Sequence, residues 1–269
     1  MEGPGFTPVD VSVVVPAYCE QQGIGTTVRA LAATLEELRL AWEIIVVDDG
    51  SDDATANVVR DLESELPGVR LVRYEQNRGK GFAVRIGLLT ARGRDVVFTD
   101  ADLSTPPAAI GPALVALRNA DVVVASRANA SSRLVRRQIW YREAMGKSFN
   151  LLARCLGLTR LPDTQCGFKA LRGPVARTLA GELVTEGFAF DVELLARASR
   201  HGFVVVEQPV EWRNRPESRV RVVRDSLRML RDLVLIAIRL RTEAPRQTFS
   251  PNGATPPGQS PSDSSGKSS

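Results

Sequence analysis

Short runs of β-branched and aliphatic residues recur through the first half of this chain, each followed by a stretch of helical periodicity. That alternation restricts the fold to a mainly parallel, doubly wound α/β sheet. The runs are Val11 to Val15, interrupted only by Ser12 and closed by Pro16, then Ile44 to Val47, Val69 to Tyr74, Asp95 to Thr99 and Val122 to Ala125. Such stretches suit strands buried on both faces. Helices are expected from Thr26 to Leu40, from about Ala54 to Leu66, from Gly81 to Ala91 and after Pro106-Pro107, with Pro67-Gly68 ending the second. Past Ser126 the rhythm changes to a basic loop and helix up to Leu156, a polar turn from Asp163 to Gly167, a short segment from Gly187 to Leu195 and a strand-like Phe203 to Trp212. With 269 residues, 43% of them hydrophobic, the chain suits one substantial core. The expected organisation is an N-terminal extension over 1–10, one domain over 11–241 with halves 11–125 and 126–241, and a tail over 242–269. The tail is rich in Pro, Ser, Gly and Thr, cannot offset its ordering entropy by burial, and is expected to be disordered.

Parallel sheets collect ligands beyond the carboxyl ends of their strands, and two acidic clusters stand there. Asp100-Ala101-Asp102 follows the fourth run, and such a pair can share one hard cation with substrate phosphates. It also suits the start of a helix capped by Ser104 or Thr105. Asp48-Asp49-Gly50-Ser51, with Asp53 and Thr55, follows the second run and reads either as turn chemistry or as a ligand-facing cluster. Together the two ends border one crevice.

The quantities that exclude are few. Lys and Arg number 35 against 31 Asp and Glu, too small a surplus to announce nucleic acid. Cys19, Cys155 and Cys166 have neither paired nor metal-type spacing, so reduced thiols in the cytosol are expected. Met1 to Asp10 does not read as a secretory signal. The apolar stretch Leu233 to Ile238 falls far short of the about 20 residues that span a bilayer.

The segments Val13-Val14-Val15-Pro16-Ala17-Tyr18-Cys19-Glu20, Val46-Val47-Asp48-Asp49-Gly50-Ser51-Asp52-Asp53-Ala54-Thr55, Asn77-Arg78-Gly79-Lys80-Gly81 and Asp100-Ala101-Asp102 resemble, in order and spacing, the family 2 glycosyltransferases. Asp163-Thr164-Gln165-Cys166-Gly167-Phe168-Lys169 and Gly187-Phe188-Ala189-Phe190-Asp191-Val192-Glu193-Leu194 resemble the branch that glycosylates dolichyl and other polyprenyl phosphates, the glucose type more than the mannose type. The resemblance covers roughly Val11 to Leu240. It implies a GT-A fold, a Rossmann-like sheet with an acceptor-side extension. Pro16, Ala17, Tyr18 and Glu20 would lie by the nucleotide base, with Asp48 and Asp49 on base and ribose. Lys80, Ala101 and Gln165 join the nucleotide-sugar contacts, Gln165 facing the sugar, and Asp100 and Asp102 would hold Mg²⁺ or Mn²⁺ on the diphosphate. Asp191 would stand by the reacting centre, with Arg127 and Lys169 near phosphates. UDP-glucose is the favoured donor, ahead of GDP-mannose and N-acetylhexosamine donors, with a non-catalytic nucleotide-sugar sensor as the alternative of another class. The membrane helices that many such enzymes carry are not expected in Met1 to Ser269.

The expected reaction is a single displacement at the anomeric carbon with inversion, in which Asp102, Asp191 and Arg127 carry the catalytic roles. A phosphomonoester acceptor, with a second pKa of about 6, is already largely ionised at neutral pH and needs positive guidance more than a base. Arg127, Arg133, Arg136 and Arg137 are the candidates to give it, unless they form a solvated basic loop. A hydroxyl acceptor would need Asp191 or Glu193 as base. The segments Ile139 to Leu156 and Leu227 to Leu240, the latter with Leu227, Leu230, Val234 and Ala237 along one face, either lie on a membrane surface or pack on the core. Peripheral contact with the cytoplasmic face of a membrane follows, with a homodimer or a membrane-protein partner left open.

Overall fold

The computed structural model describes residues 9–136, 140–213 and 222–243. At its centre, β1 (Val11–Ala17) and β2 (Trp42–Asp49) pair in parallel from Val11 opposite Trp42 to Ala17 opposite Asp48. β3 (Val69–Tyr74) extends the sheet beyond β2, and β4 (Asp95–Thr99) lies on the other side of β1, both in parallel. Crossovers run through α1 (Ile24–Glu37), α2 (Thr55–Glu65) and α3 (Lys80–Thr90). A 3-10 turn at Pro107–Ala109 and α4 (Ile110–Ala116) then lead to β5 (Val122–Ser126).

Successive strand side chains point to opposite faces, and in these strands both faces are apolar. Val11, Val13, Val15, Ile44 and Val46 pack with Leu31 and Leu35 of α1 and Ile110 of α4. The intervening Val14, Ile45 and Val47 pack with Val84 and Leu88 of α3 on the other face. That second core also takes Leu179 from α6 (Gly173–Glu182) and Leu194 from α7 (Phe190–Arg200). Two-sided burial is why these runs read as continuous apolar stretches rather than alternating ones.

The full order is β3-β2-β1-β4-β7-β5-β8, with β7 (Phe168–Arg172) antiparallel between β4 and β5, and β8 (Val205–Pro209) parallel to β5. A mainly parallel sheet was expected; the antiparallel insertion was not. Lys169, expected among phosphates, lies inside this strand at 0% exposure. Its charge, and the Arg at 172, disguise the strand as a loop. The segment expected as short around Gly187 to Leu195 is the turn and start of α7, and the strand-like Phe203 to Trp212 divides into β8 and β9 (Glu211–Arg213). β9 pairs with β6 (Arg133–Arg136) in a separate two-stranded ribbon. α5 (Trp140–Cys155) and α8 (Val222–Thr242) share a third core around Phe149, Ala153, Leu233 and Ile236.

At the edge opposite the carboxyl ends, Glu43 is 1% exposed and binds β1, β2 and β3 to the loop before β4. Its Oε1 accepts from Ser12 Oγ at 2.6 Å and from the Arg92 amide at 2.8 Å, and its Oε2 from Arg92 Nε at 3.0 Å and Arg70 Nη1 at 3.1 Å. Burial raises this carboxyl, but the hydrogen bonds from Ser12 and Arg92 outweigh it and hold the group below the ordinary carboxylate range. A carboxylate depressed on folding stabilises fully above its unfolded value, about 4.3, and loses that contribution as pH falls through the folded value. Glu43→Ala is therefore expected to lower unfolding free energy by about 2–4 kcal/mol at neutral pH. Urea titrations at neutral and acidic pH check this: the gap between the two proteins should narrow on acidification.

Candidate functional site

The loops after β1 and β2 brace each other. The Cys19 amide donates to Ser51 Oγ at 2.8 Å and the Glu20 amide to Thr55 Oγ1 at 2.7 Å, while Cys19 takes a left-handed φ of 53° that an L residue seldom adopts. This presents Pro16, Ala17 and an exposed Tyr18 beside the acidic end of β2. There the two aspartates differ. Asp49 receives four donors, Tyr74 Oη and the Arg78 amide on Oδ1 at 2.7 and 2.8 Å, and Asn77 Nδ2 and the Gly79 amide on Oδ2 at 3.0 and 2.8 Å. Its acceptor capacity is spent on shaping the loop that leads to Lys80. Asp48 is buried with Oδ1 bound by the Ser51 amide at 3.0 Å; its Oδ2 lies 3.3 Å from Arg73 Nε and has no hydrogen bond among the described residues. Gly50 joins the two aspartates to this loop at φ 70°, where a Cβ would meet the Asn77 amide nitrogen at 2.7 Å.

After β4, Thr27 Oγ1 of α1 donates to the Ala101 carbonyl at 2.5 Å, and Asp102 accepts from the Ser104 amide and hydroxyl at 2.9 and 2.8 Å. Leu103 between them is strained at φ 51°. The expected helix cap is thus a tight Asp-Ser turn, with Asp102 exposed at its tip. Lys80, first residue of α3, places Nζ 2.5 Å from Asp100 Oδ1. Burial disfavours its charge, but Asp100, Asp191 and Asp102 hold the ammonium above the ordinary lysine range. A cation thus already stands against the acidic pair. Among the described residues no three His, Cys, Asp or Glu side chains gather as a ligand set. A divalent ion on Asp100 and Asp102 fits only with oxygens from a ligand and water completing its shell, which is the habit of Mg²⁺ on phosphates.

Because β7 is antiparallel, the segment before it lies across the carboxyl end of β4. Phe168 pairs with Thr99, and Gly167 sits so close to Asp100 that a Cβ would fall 1.8 Å from Oδ2. Asp163, in the same segment, takes the Arg127 fork at 2.8 Å on each oxygen, and Thr164 is tied to Asn150 of α5. Burial opposes the Arg127–Asp163 pair, yet the mutual contact raises the guanidinium and lowers the carboxyl. Gln165 is half-buried beside this pair. Lys169 Nζ reaches Asp191 Oδ1 at 2.5 Å and the Cys166 carbonyl at 3.0 Å, so this lysine serves a buried carboxylate and not a solvent-facing anion. For Asp191, burial outweighs the pull of Lys169 and Lys80 and leaves the carboxyl above the ordinary carboxylate range. Glu193 is saturated: Arg197 and Arg239 bind Oε1, and the Val184 and Thr185 amides bind Oε2. Arg133 is exposed on β6, whose partner strand β9 donates the Arg213 amide to the Ser104 carbonyl at 2.9 Å, beside the Asp102 turn; Arg137 lies outside the described residues, as does the side chain of Arg136. The Arg127–Asp163 fork and Gly167 were not singled out from sequence as a device, since partners separated by a helix leave no local signal.

A family model for glycosyl transferase family 2 matches residues 12–179. The chain is 34% identical over 245 residues to a Drosophila melanogaster dolichyl-phosphate beta-glucosyltransferase, covering 86% of this chain and 75% of the relative. It is 31% identical over 245 residues to the Saccharomyces cerevisiae protein of that name, covering 84% and 73%. Among solved structures, Mycobacterium tuberculosis glucosyl-3-phosphoglycerate synthase with Mn²⁺ and UDP-glucose superposes with a TM-score of 0.64 at 19% identity, covering 88% of this chain and 84% of the other. A Pyrobaculum calidifontis mannosyltransferase with GDP-Man and Mn²⁺ superposes with a TM-score of 0.63 at 23% identity, covering 87% and 65%. The shared architecture is the GT-A fold.

The contact at Gly167 makes a separable prediction. In Gly167→Ala the methyl would displace a side-chain carboxylate rather than backbone, so melting should shift little while Asp100 leaves its place. A misplacement of that order costs about a hundredfold in rate. Thermal unfolding monitored beside initial rates of sugar transfer checks both halves.

Proposed function

This chain belongs to glycosyl transferase family 2 and is a glycosyltransferase, and on that premise we propose that it moves glucose from UDP-glucose to the phosphate of a dolichyl-type polyprenyl lipid, inverting the anomeric carbon. The observation that carries the acceptor half is the buried Lys169–Asp191 pair, with Glu193 already saturated. The Lys169 ammonium occupies Asp191 Oδ1 and fixes the side chain, so the carboxyl, raised by burial, stands as a positioned group beside the reacting carbon. An ionised phosphate acceptor asks no more of it.

Pro16, Ala17, Tyr18 and Glu20 line the base, Asp48, buried and paired with Arg73, supports the nucleoside end of the site from beneath, and Asp49 acts through the loop it shapes. Asp100 and Asp102 would hold Mg²⁺ or Mn²⁺, which when bound supplies positive charge to the leaving diphosphate. Lys80 orients that diphosphate from the start of α3, and Ala101 and Gln165 border the sugar. Arg127, already aligned by Asp163, guides the acceptor phosphate with the part of its fork outside that pair, assisted from the β6 side by Arg133 and, beyond the described residues, Arg137. The relatives' names support the glucose and dolichyl choices; GDP-mannose is the second donor. A lipid-phosphate acceptor on this reading calls for peripheral contact with the cytoplasmic face of a membrane; among the described residues no helix is long and apolar enough to cross one.

A hydroxyl acceptor is the competing reading, favoured by Asp191 Oδ2, which lies outside the lysine contact. Purified protein with Mn²⁺ and labelled UDP-glucose should yield organic-extractable label only when a polyprenyl phosphate is present, and Asp102→Ala should abolish it. In Asp191→Asn, turnover should fall by about tenfold to a hundredfold while the acidic limb of the pH-rate profile stays near the acceptor's pKa of about 6. Loss of that limb in the variant, or label on a hydroxyl acceptor without lipid, would move the assignment to Asp191 as base.

A further inference from the structure

One face of α8 is apolar and has no protein against it among the described residues. Leu233, Ile236, Ala237 and Leu240 turn inward onto Phe149 and Ala153 of α5. Ala237, expected along one face with Leu227, Leu230 and Val234, is separated from them and belongs to this buried side. The opposite face carries Leu227, Leu230, Val234 and Ile238 at helical spacing, with Leu227 at 64% and Ile238 at 54% exposure, and Leu235 beside them. Arg228, Arg231 and Arg241 are exposed among these residues. Asp232, the one acidic group among the described side chains of this helix, turns the other way, its Oδ2 3.4 Å from where a Cβ on Gly187 would stand.

We propose that this face of α8 docks on the surface of an anionic phospholipid bilayer. An apolar stripe set among arginines matches a headgroup layer, aliphatic groups entering the acyl boundary and guanidinium groups meeting lipid phosphates. The other occupants fit worse. A second copy across a twofold axis would set these arginines against their own counterparts. The chain after Glu243 holds Phe249 as its one large apolar residue and cannot cover a stripe of leucine, valine and isoleucine. The helix also borders the site, since Gly187 opens the turn that leads into Asp191. A bilayer under α8 is therefore adjacent to the centre where, on the function proposed above, a lipid phosphate must arrive. The docking argument itself rests on α8 and not on that function.

The test is co-sedimentation of the full chain with phosphatidylcholine vesicles, with and without phosphatidylglycerol. The wild type should bind the anionic vesicles, and Leu227→Ser/Val234→Ser/Ile238→Ser should weaken binding by more than about tenfold. Arg228→Ser/Arg231→Ser should weaken it about tenfold on the anionic vesicles only. All these residues stand outside the catalytic machinery, so transfer to a short, water-soluble prenyl phosphate should be unchanged and certifies the fold of each variant. Wild type that stays in the supernatant, a serine triple that sediments like wild type, or a wild-type dimer that the triple converts to monomer each overturns the docking. Vesicle binding as described but no transfer to any prenyl phosphate sinks the lipid-phosphate acceptor and leaves the docking standing.

Discussion

Asp48, Asp49, Asp100, Asp102, Asp163 and Asp191 converge at the carboxyl edge of one sheet, and the repulsion among partly buried carboxylates has to be compensated within the protein before the edge can hold its shape. Each of the inner ones has its own partner: Arg73 on Asp48, Lys80 on Asp100, Lys169 on Asp191, Arg127 on Asp163, and four uncharged donors on Asp49. Asp102 is exposed and keeps only Ser104. The compensation is graded, complete where the carboxylate organises backbone and least complete at the tip where a cationic ligand is expected.

This grading explains what the sequence made legible. The strand-helix alternation and the positions of both acidic clusters follow from apolar runs and their carboxyl ends, which are local properties. Asp100 and Asp102 were readable as a pair because they are neighbours in the chain. What separates Asp48 from Asp49 was not, since adjacent identical residues point to opposite sides of the strand end, and only the returning loop from Tyr74 to Gly79 decides which is saturated.

Lys169 shows the opposite failure. A lysine in a polar segment reads as a surface charge available to an anion. In the fold it is the strand residue opposite Phe98 on an antiparallel insertion, wholly buried, because Asp191 from a distant helix meets it. Nothing local distinguishes a lysine whose partner lies far along the chain from one with none. The same holds for Arg127, whose neighbour Asp163 stands across α5 in sequence.

The antiparallel strand is also what makes a single site out of two halves. Had β7 run parallel to β4, the Asp163–Gly167 segment would start at the far edge, and neither the Arg127 clamp nor the Gly167 contact would lie near Asp100. Its reversal delivers both to the carboxyl edge. The donor side is closed by another long-range contact: the Glu186 carbonyl receives the Gly81 and Phe82 amides, and the turn that bears it is held by Glu193, which also binds Arg239 of α8. One buried glutamate thus anchors the start of the helix that carries Lys80 and the helix whose outer face is apolar. It is denied any role as a base by the same hydrogen bonds that make it structural.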